Sequence, residues 1–214
     1  MKRRMRMAGA KQPPKDTLVY SAGIMSQSFW FVEFKKYLKL LSEGLSPEEI
    51  KVSVTEKNLF GAPNEYRAKR IFGYLSNRAD WIDREGIALF FASDPATQKL
   101  LNLICVLRRD RLFFEFVNEV YREKIMLGMQ TLEPSDANIF FRNKEIQSET
   151  VAAWTDTTKR RVCSCYFNFL TDANLLTIVD KKKTITPPLL DPALEHYLET
   201  SGEISILKAI TGVF

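Results

Sequence analysis

One histidine and three cysteines are all the imidazole and thiol that this sequence offers to metal or redox chemistry. The cysteine count is odd, and the Cys163-x-Cys165 pair lacks the Cys-x-x-Cys spacing of zinc and redox sites, so Cys105, Cys163 and Cys165 read as reduced, partly buried small hydrophobes. His196 stands in "DPALEHYLET" with no cysteine or second histidine near it, which makes it a surface helix residue rather than a ligand or base. Nine scattered glycines form neither G-x-G-x-x-G nor G-x-x-x-x-G-K, which excludes the usual phosphate and cofactor loops of methyl transfer and ATP hydrolysis. A serine or cysteine nucleophile would have only His196 as its histidine base. A metal nuclease wants an acid followed by acid-x-Lys on a strand, but Glu33-Phe34-Lys35 and Glu48-Glu49-Ile50-Lys51 fall on expected helices. The expectation is a protein that is not an enzyme, with no cofactor, no metal and no small-molecule substrate.

Long apolar runs are missing too. The longest charge-free run lies between Asp16 and Glu33; it is shorter than a bilayer span and is broken by Ser21, Gly23, Ser26, Gln27 and Ser28, so no transmembrane helix and no membrane partner is expected. The opening "MKRRMRMAGAKQPPK" is basic but no apolar stretch follows it, which argues against a secretory signal and for a cytoplasmic protein. With 45% hydrophobic residues the chain can bury one good core or two small ones.

Charge is segregated rather than scattered. Residues 1–15 carry Lys2, Arg3, Arg4, Arg6, Lys11 and Lys15 and no acid, so this arm accounts for more than the whole net charge of +5 and the remainder is −1. From Val151 to Leu190 six bases face three acids, net +3; from Asp191 onward four acids face Lys208, net −3. A nucleic-acid surface in the folded part would therefore come from local clustering.

The periodicities are helical. "SFWFVEFKKYLKLLSEG" places Phe34, Leu38 and Leu41 on one stripe and stops at Gly44. Ser46, Pro47 and Glu49 form a capping-box start for a helix to about residue 58. A third helix from Asn64 to about Ile82 turns Ile71, Leu75 and Ile82 inward and Lys69, Arg70 and Asn77 outward, giving residues 46–82 a helix-turn-helix-like order with a basic outer face. Asp94-Pro95 caps a strongly apolar run broken near Arg109, and the Phe90-Phe91, Phe113-Phe114 and Phe140-Phe141 doublets lie inside apolar stripes as core, not as a platform for stacked bases.

Past residue 145, a short helix over 148–154 is followed by a tight turn and by "TDTTKRRVCSCYFNFLTDAN", with Thr155 and Asp156 as cap and first-turn residues. Val162, Cys165, Tyr166 and Phe169 share one face; Thr157, Arg160, Arg161, Ser164 and Asn168 share the other, which carries the donors and acceptors that reach phosphates and base edges. Asn174 leaves the helix where a left-handed residue is needed. Then "LLTIVDKKKTITPP" reads as two short strands, 176–179 and 184–186, around a tip of Asp180, Lys181, Lys182 and Lys183. Helix, turn, helix, two-stranded wing is the order of a winged helix-turn-helix, with the lysines held over the phosphates that flank a groove.

The succession "YSAGI", "EFKKYLKLLSEGLSPEEIKVSVTEKNLF", "YLSNRADWI", "FFEFVNEVYREKI", "ANIFF" and "VAAWTDTTKRRV…LTDANLLTI" resembles the BrxA family, a small component of BREX phage-defence systems in bacteria and archaea. The resemblance implies a small, mostly helical protein without catalytic activity, similar to helix-turn-helix and NusB-type folds, that binds double-stranded DNA. Asn174 stands where relatives often have Gly, and the basic arm lies outside the resemblance.

The combined expectation is a mainly α protein: a basic arm over 1–15, an N-terminal helical domain over 16–145, and a C-terminal winged-helix domain over 146–214 with one small β-hairpin and an acidic last segment that packs on the wing domain. Duplex DNA is expected on Thr157, Arg160, Arg161, Ser164, Asn168, Lys181, Lys182 and Lys183, with Lys69, Arg70, Arg3 and Arg4 adding contacts. Other BREX proteins are the expected protein partners. The alternatives are an interaction scaffold docking on larger defence proteins and a NusB-like RNA binder.

Overall fold

The computed structural model describes residues 18–212, and the Arg3–Arg4 expectation lies outside them. The architecture is helical with one small hairpin: α1 (Phe31–Ser42), α2 (Pro47–Glu56), α3 (Glu65–Ala79), α4 (Arg84–Ala92), α5 (Pro95–Arg109), α6 (Arg111–Phe116), α7 (Arg122–Met126), α8 (Pro134–Gln147), α9 (Glu149–Ala152), α10 (Asp156–Asp172), β1 (Leu176–Val179), β2 (Lys182–Ile185), α11 (Pro192–Thr200) and α12 (Ile204–Thr211). A short 3₁₀ helix over Gly23–Ser26 precedes α1.

Helix starts follow local hydrogen bonding. The Ser46 hydroxyl accepts from the Glu49 N–H while the Glu49 side chain accepts from the Ser46 N–H, the expected capping box with Pro47 in the first turn. Asn64, Asp83, Asp94, Asp110, Ser148 and Thr155 each cap the next helix through the side chain. Asp110 is what divides the apolar run into α5 and α6. A π turn over Val117–Tyr121 joins α6 to α7 without interrupting the rod.

The centre is α5, in which every residue from Leu100 to Arg108 is buried, as for a helix surrounded on all sides. One hydrophobic cluster extends from Ile24 to Ile210. The phenylalanine doublets, Phe91 excepted, belong to it: Phe113 stacks on Tyr166 at 4.4 Å, and the nearby Phe116 meets Phe140 and Tyr166 at 5.3 and 5.2 Å, which ties α6, α8 and α10 together. Two positions differ from expectation: Asn77, expected to face outward, is half-buried, and Phe91, expected in the core with its doublet, is 37% exposed.

The hairpin pairs Leu176 with Ile185 and Val179 with Lys182, so the connection is only Asp180-Lys181. Both residues have positive φ, 49° and 63°, the geometry of a type I′ turn whose twist matches the strands. Lys182 and Lys183 therefore lie in β2 rather than at the tip, and Lys181 alone of the three lysines occupies the turn. The outer edge of β2 is not free: Leu132 N–H donates to Lys183 O at 2.9 Å, Ile185 N–H to Gln130 O at 2.8 Å, and Thr131 bridges Thr184. The Tyr121 hydroxyl donates to Leu175 O at 3.2 Å and anchors the hairpin base to the π turn. Asn174 has φ 63°, the left-handed conformation expected of it.

The acidic C-terminal segment is two helices, α11 and α12, broken where Gly202 takes φ 72°. It was expected on the wing domain; instead α11 packs on α4 and α12 on the π turn and α7. The physical reason is Arg108, buried in α5, whose guanidinium holds Glu203 at the start of α12.

Candidate nucleic-acid interface

The amphipathic pattern of α10 orients the site. Val162, Tyr166, Phe167, Phe169 and Leu170 are buried, which turns Thr157, Arg160, Arg161, Ser164 and Asn168 to the outside, all five exposed. The Thr155 hydroxyl accepts from the Thr158 N–H and fixes the start of the helix. Arg160 and Arg161 make no ion pair or side-chain hydrogen bond among the described residues. Their neighbour Lys159 differs, being held by the Glu145 and Asp156 carboxylates, which raise its pKa. The Ser164 hydroxyl donates back to Arg160 O at 3.0 Å, so toward a ligand it is left with its acceptor character.

The wing lies against this helix. Lys183 places its ammonium 4.8 Å from the Phe167 ring centre, and its charge opposes the upward push that burial gives the Cys163 thiol, which sits at about 11. Lys183 is thus half-buried and spans the gap between β2 and α10, while Lys181 and Lys182 are exposed with no partner among the described residues. Four cations, Arg160, Arg161, Lys181 and Lys182, consequently stand unneutralised on adjoining elements. Asn168 lines a cleft of about 340 Å³ shared with Gln27, Ser28 and Asp172, with Phe29 and Phe169 below.

Lys69 and Arg70 belong to α3, which packs on α1, α2 and α5. Lys69 pairs with Glu65 at 2.5 Å and Arg70 lies over the Tyr66 ring at 5.9 Å, so both exposed cations are engaged within their own helix. The segment Gln130–Leu132, the third edge of the wing, was missed in the sequence because one bridging residue leaves no alternating pattern.

Among the described residues no group of three His, Cys, Asp or Glu could hold a metal ion, and no helix is long and apolar enough to cross a membrane.

Comparison with known proteins agrees with this architecture. Residues 19–202 match the family model described as BrxA. A relative from Bacillus cereus (strain H3081.97), named "BREX protein BrxA", is 33% identical over 194 residues, covering 91% of this chain and 97% of its own. The crystal structure of an uncharacterized protein from Magnetospirillum magneticum superposes with a TM-score of 0.77 over 91% of this chain and 99% of that one; at 17% identity it is a likeness of fold alone. A family match that runs from the segment before α1 through α11, and a relative aligned nearly end to end, together place this chain in the BrxA family.

Proposed function

We propose that this protein is a non-catalytic, double-stranded-DNA-binding component of a BREX phage-defence system, acting in the cytoplasm alongside other BREX proteins. The defence setting rests on family membership and on the name carried by the Bacillus cereus relative. The DNA reading is supported chiefly by one observation: Arg160, Arg161, Lys181 and Lys182 are exposed and unpaired on α10 and the hairpin, where most neighbouring cations are tied up by protein groups. A recognition helix would enter the groove with Thr157, Ser164 and Asn168 toward base edges, and the hairpin, stiffened on its outer edge by Gln130–Leu132, would lay its lysines along phosphates. The gripping unit within the segment 146–214 is α9, α10 and the hairpin, with that added edge; Lys69, Arg70 and the basic arm over 1–15 supply further contacts.

Labelled duplex in fluorescence anisotropy, competed by unlabelled duplex or single-stranded RNA at low and physiological salt, tests this. Duplex should compete at least tenfold better than RNA, and binding should weaken steeply with salt. RNA competing as well as duplex would favour a NusB-like role. A scaffold role has one observation of its own, the exposed Ile139 and Ile146 two turns apart on α8, and binding to protein partners that survives high salt would favour it.

A further inference from the structure

A second polar site lies away from the outer face of α10. Residues 19–27 cross a cavity of about 210 Å³ whose floor is formed by Arg78 of α3, and by Arg109 and Asp110 at the α5–α6 junction, with Ser21 and Gln27 on the crossing segment. Arg78 is 1% exposed. Its two terminal nitrogens are used, donating to Phe29 O at 2.6 Å, Asn102 Oδ1 at 2.9 Å and Ser28 O at 3.1 Å, and they fix the guanidinium in place. Its Nε, however, is buried with no partner, and so is Nη1 of Arg109. No carboxylate forms an ion pair with either group among the described residues. The two cations also sense one another: burial first, and the charge of Arg109 with it, bring the Arg78 pKa down to about 10.

Two guanidinium groups that share a cavity, repel each other and each keep a buried N–H unpaired call for an anion between them. Asp110 is the one acid on the wall, which leaves the lining at net +1. We infer that this cavity binds a phosphate group, held between the Arg78 Nε–H and the Arg109 Nη1–H, with the Ser21 hydroxyl and Gln27 amide as further donors. A phosphate suits the donor set better than a carboxylate, because its oxygens can be met from several sides at once. The inference does not rest on the duplex-binding reading: no donor of this site belongs to α10 or the hairpin, and of its lining only Gln27 also borders the cleft that Asn168 lines.

The test is isothermal titration of the full chain with inorganic phosphate in a chloride background of constant ionic strength. One saturable site is expected. Arg109→Gln, which forfeits no hydrogen bond seen in the protein, should weaken it by at least about tenfold, the worth of one charge-assisted contact. Asp110→Asn removes the opposing charge but keeps a capping side chain, and should tighten binding several-fold. These opposite signs cannot both come from a general loss of folding. A nucleoside monophosphate and a short duplex are then titrated as competitors: displacement by the duplex identifies the natural phosphate as nucleic-acid backbone, and displacement by the nucleotide alone identifies a small phosphate ester. Absence of saturable binding, or equal affinity in wild type and Arg109→Gln, overturns the inference.

Discussion

Glu203→Leu should cost far more than a surface charge change, because it strips the counter-charge from a buried guanidinium. Arg108 is 3% exposed in its side chain and Glu203 15%, with Nη2 to Oε2 at 2.5 Å and Nε to the same oxygen at 2.8 Å. The remaining partners are neutral: Trp81 O at 2.6 Å and the Tyr197 hydroxyl at 3.3 Å. Breaking one side of such a pair costs about 3–5 kcal/mol, against a total stability of about 5–15 kcal/mol for a domain. For a chain of this size that corresponds to roughly 6–20 °C in melting temperature. Urea unfolding followed by circular dichroism reads the free energy, provided the slope with denaturant is unchanged. The double variant Arg108→Met with Glu203→Leu should recover at least half of the loss, since no charge is then stranded, although Trp81 O loses its donor. A single-variant cost below about 1 kcal/mol would refute the reasoning, for it would mean that α12 is not held to α5 through this pair.

Three further outcomes follow from particular contacts. Lys181→Gly should relieve a positive φ of 63° and stabilise the chain by about 1 kcal/mol in urea unfolding, while removing one phosphate contact from the salt dependence of duplex binding; a loss of stability would contradict the turn geometry. Asp110 has its carboxyl raised by burial from 3.8 to about 6, so the stability it contributes is present below pH 3.8 and is lost as pH rises through 6. Asp110→Asn should therefore match wild type near pH 4 and exceed it by up to about 3 kcal/mol at pH 8, and unfolding curves at the two pH values that show no such divergence would count against a buried carboxylate. Gly86→Ala would put a Cβ at 2.6 Å from the Tyr197 hydroxyl and 2.7 Å from Ile82 Cγ1, which should outweigh Ala's helix preference and lower stability by about 2 kcal/mol; a stabilised variant would show that α4 and α11 can move apart freely.

The parts of this fold governed by neighbours in sequence were legible in it. Ser46 with Glu49, Asp94 with Pro95, Thr155 and Asn174 each act within a few residues of themselves, and each caps or turns the chain where its chemistry requires. The outer face of α10 was legible for the same reason, since one helix period sorts Arg160 and Arg161 from Val162 and Tyr166. What depends on distant partners was not. Asp180-Lys181 lacks the glycine that usually marks a two-residue turn, so the strand appeared to begin two residues late and Lys182 and Lys183 seemed to be tip residues. Gln130–Leu132 becomes a strand edge only because β2 is there to accept it. Arg78 and Arg109 are the clearest case: arginine on an amphipathic helix normally faces water, but Ser28, Phe29, Asn102 and the Phe34 and Phe169 rings close over the first, and the second is half-buried beside residues 19–27.

The proposed duplex surface is best tested by the slope of log affinity against log salt for wild type and for Arg160→Ala, Arg161→Ala and Lys182→Ala combined. These three exposed side chains have no protein partner among the described residues, so their removal should leave the fold intact, a point that the melting curve checks. Each phosphate contact contributes about 0.9 to the slope, and the triple change is expected to flatten it by about 2.7 and to weaken binding at low salt. A slope that does not change would contradict the winged-helix interface and move the contact to the basic arm or to Lys69 and Arg70.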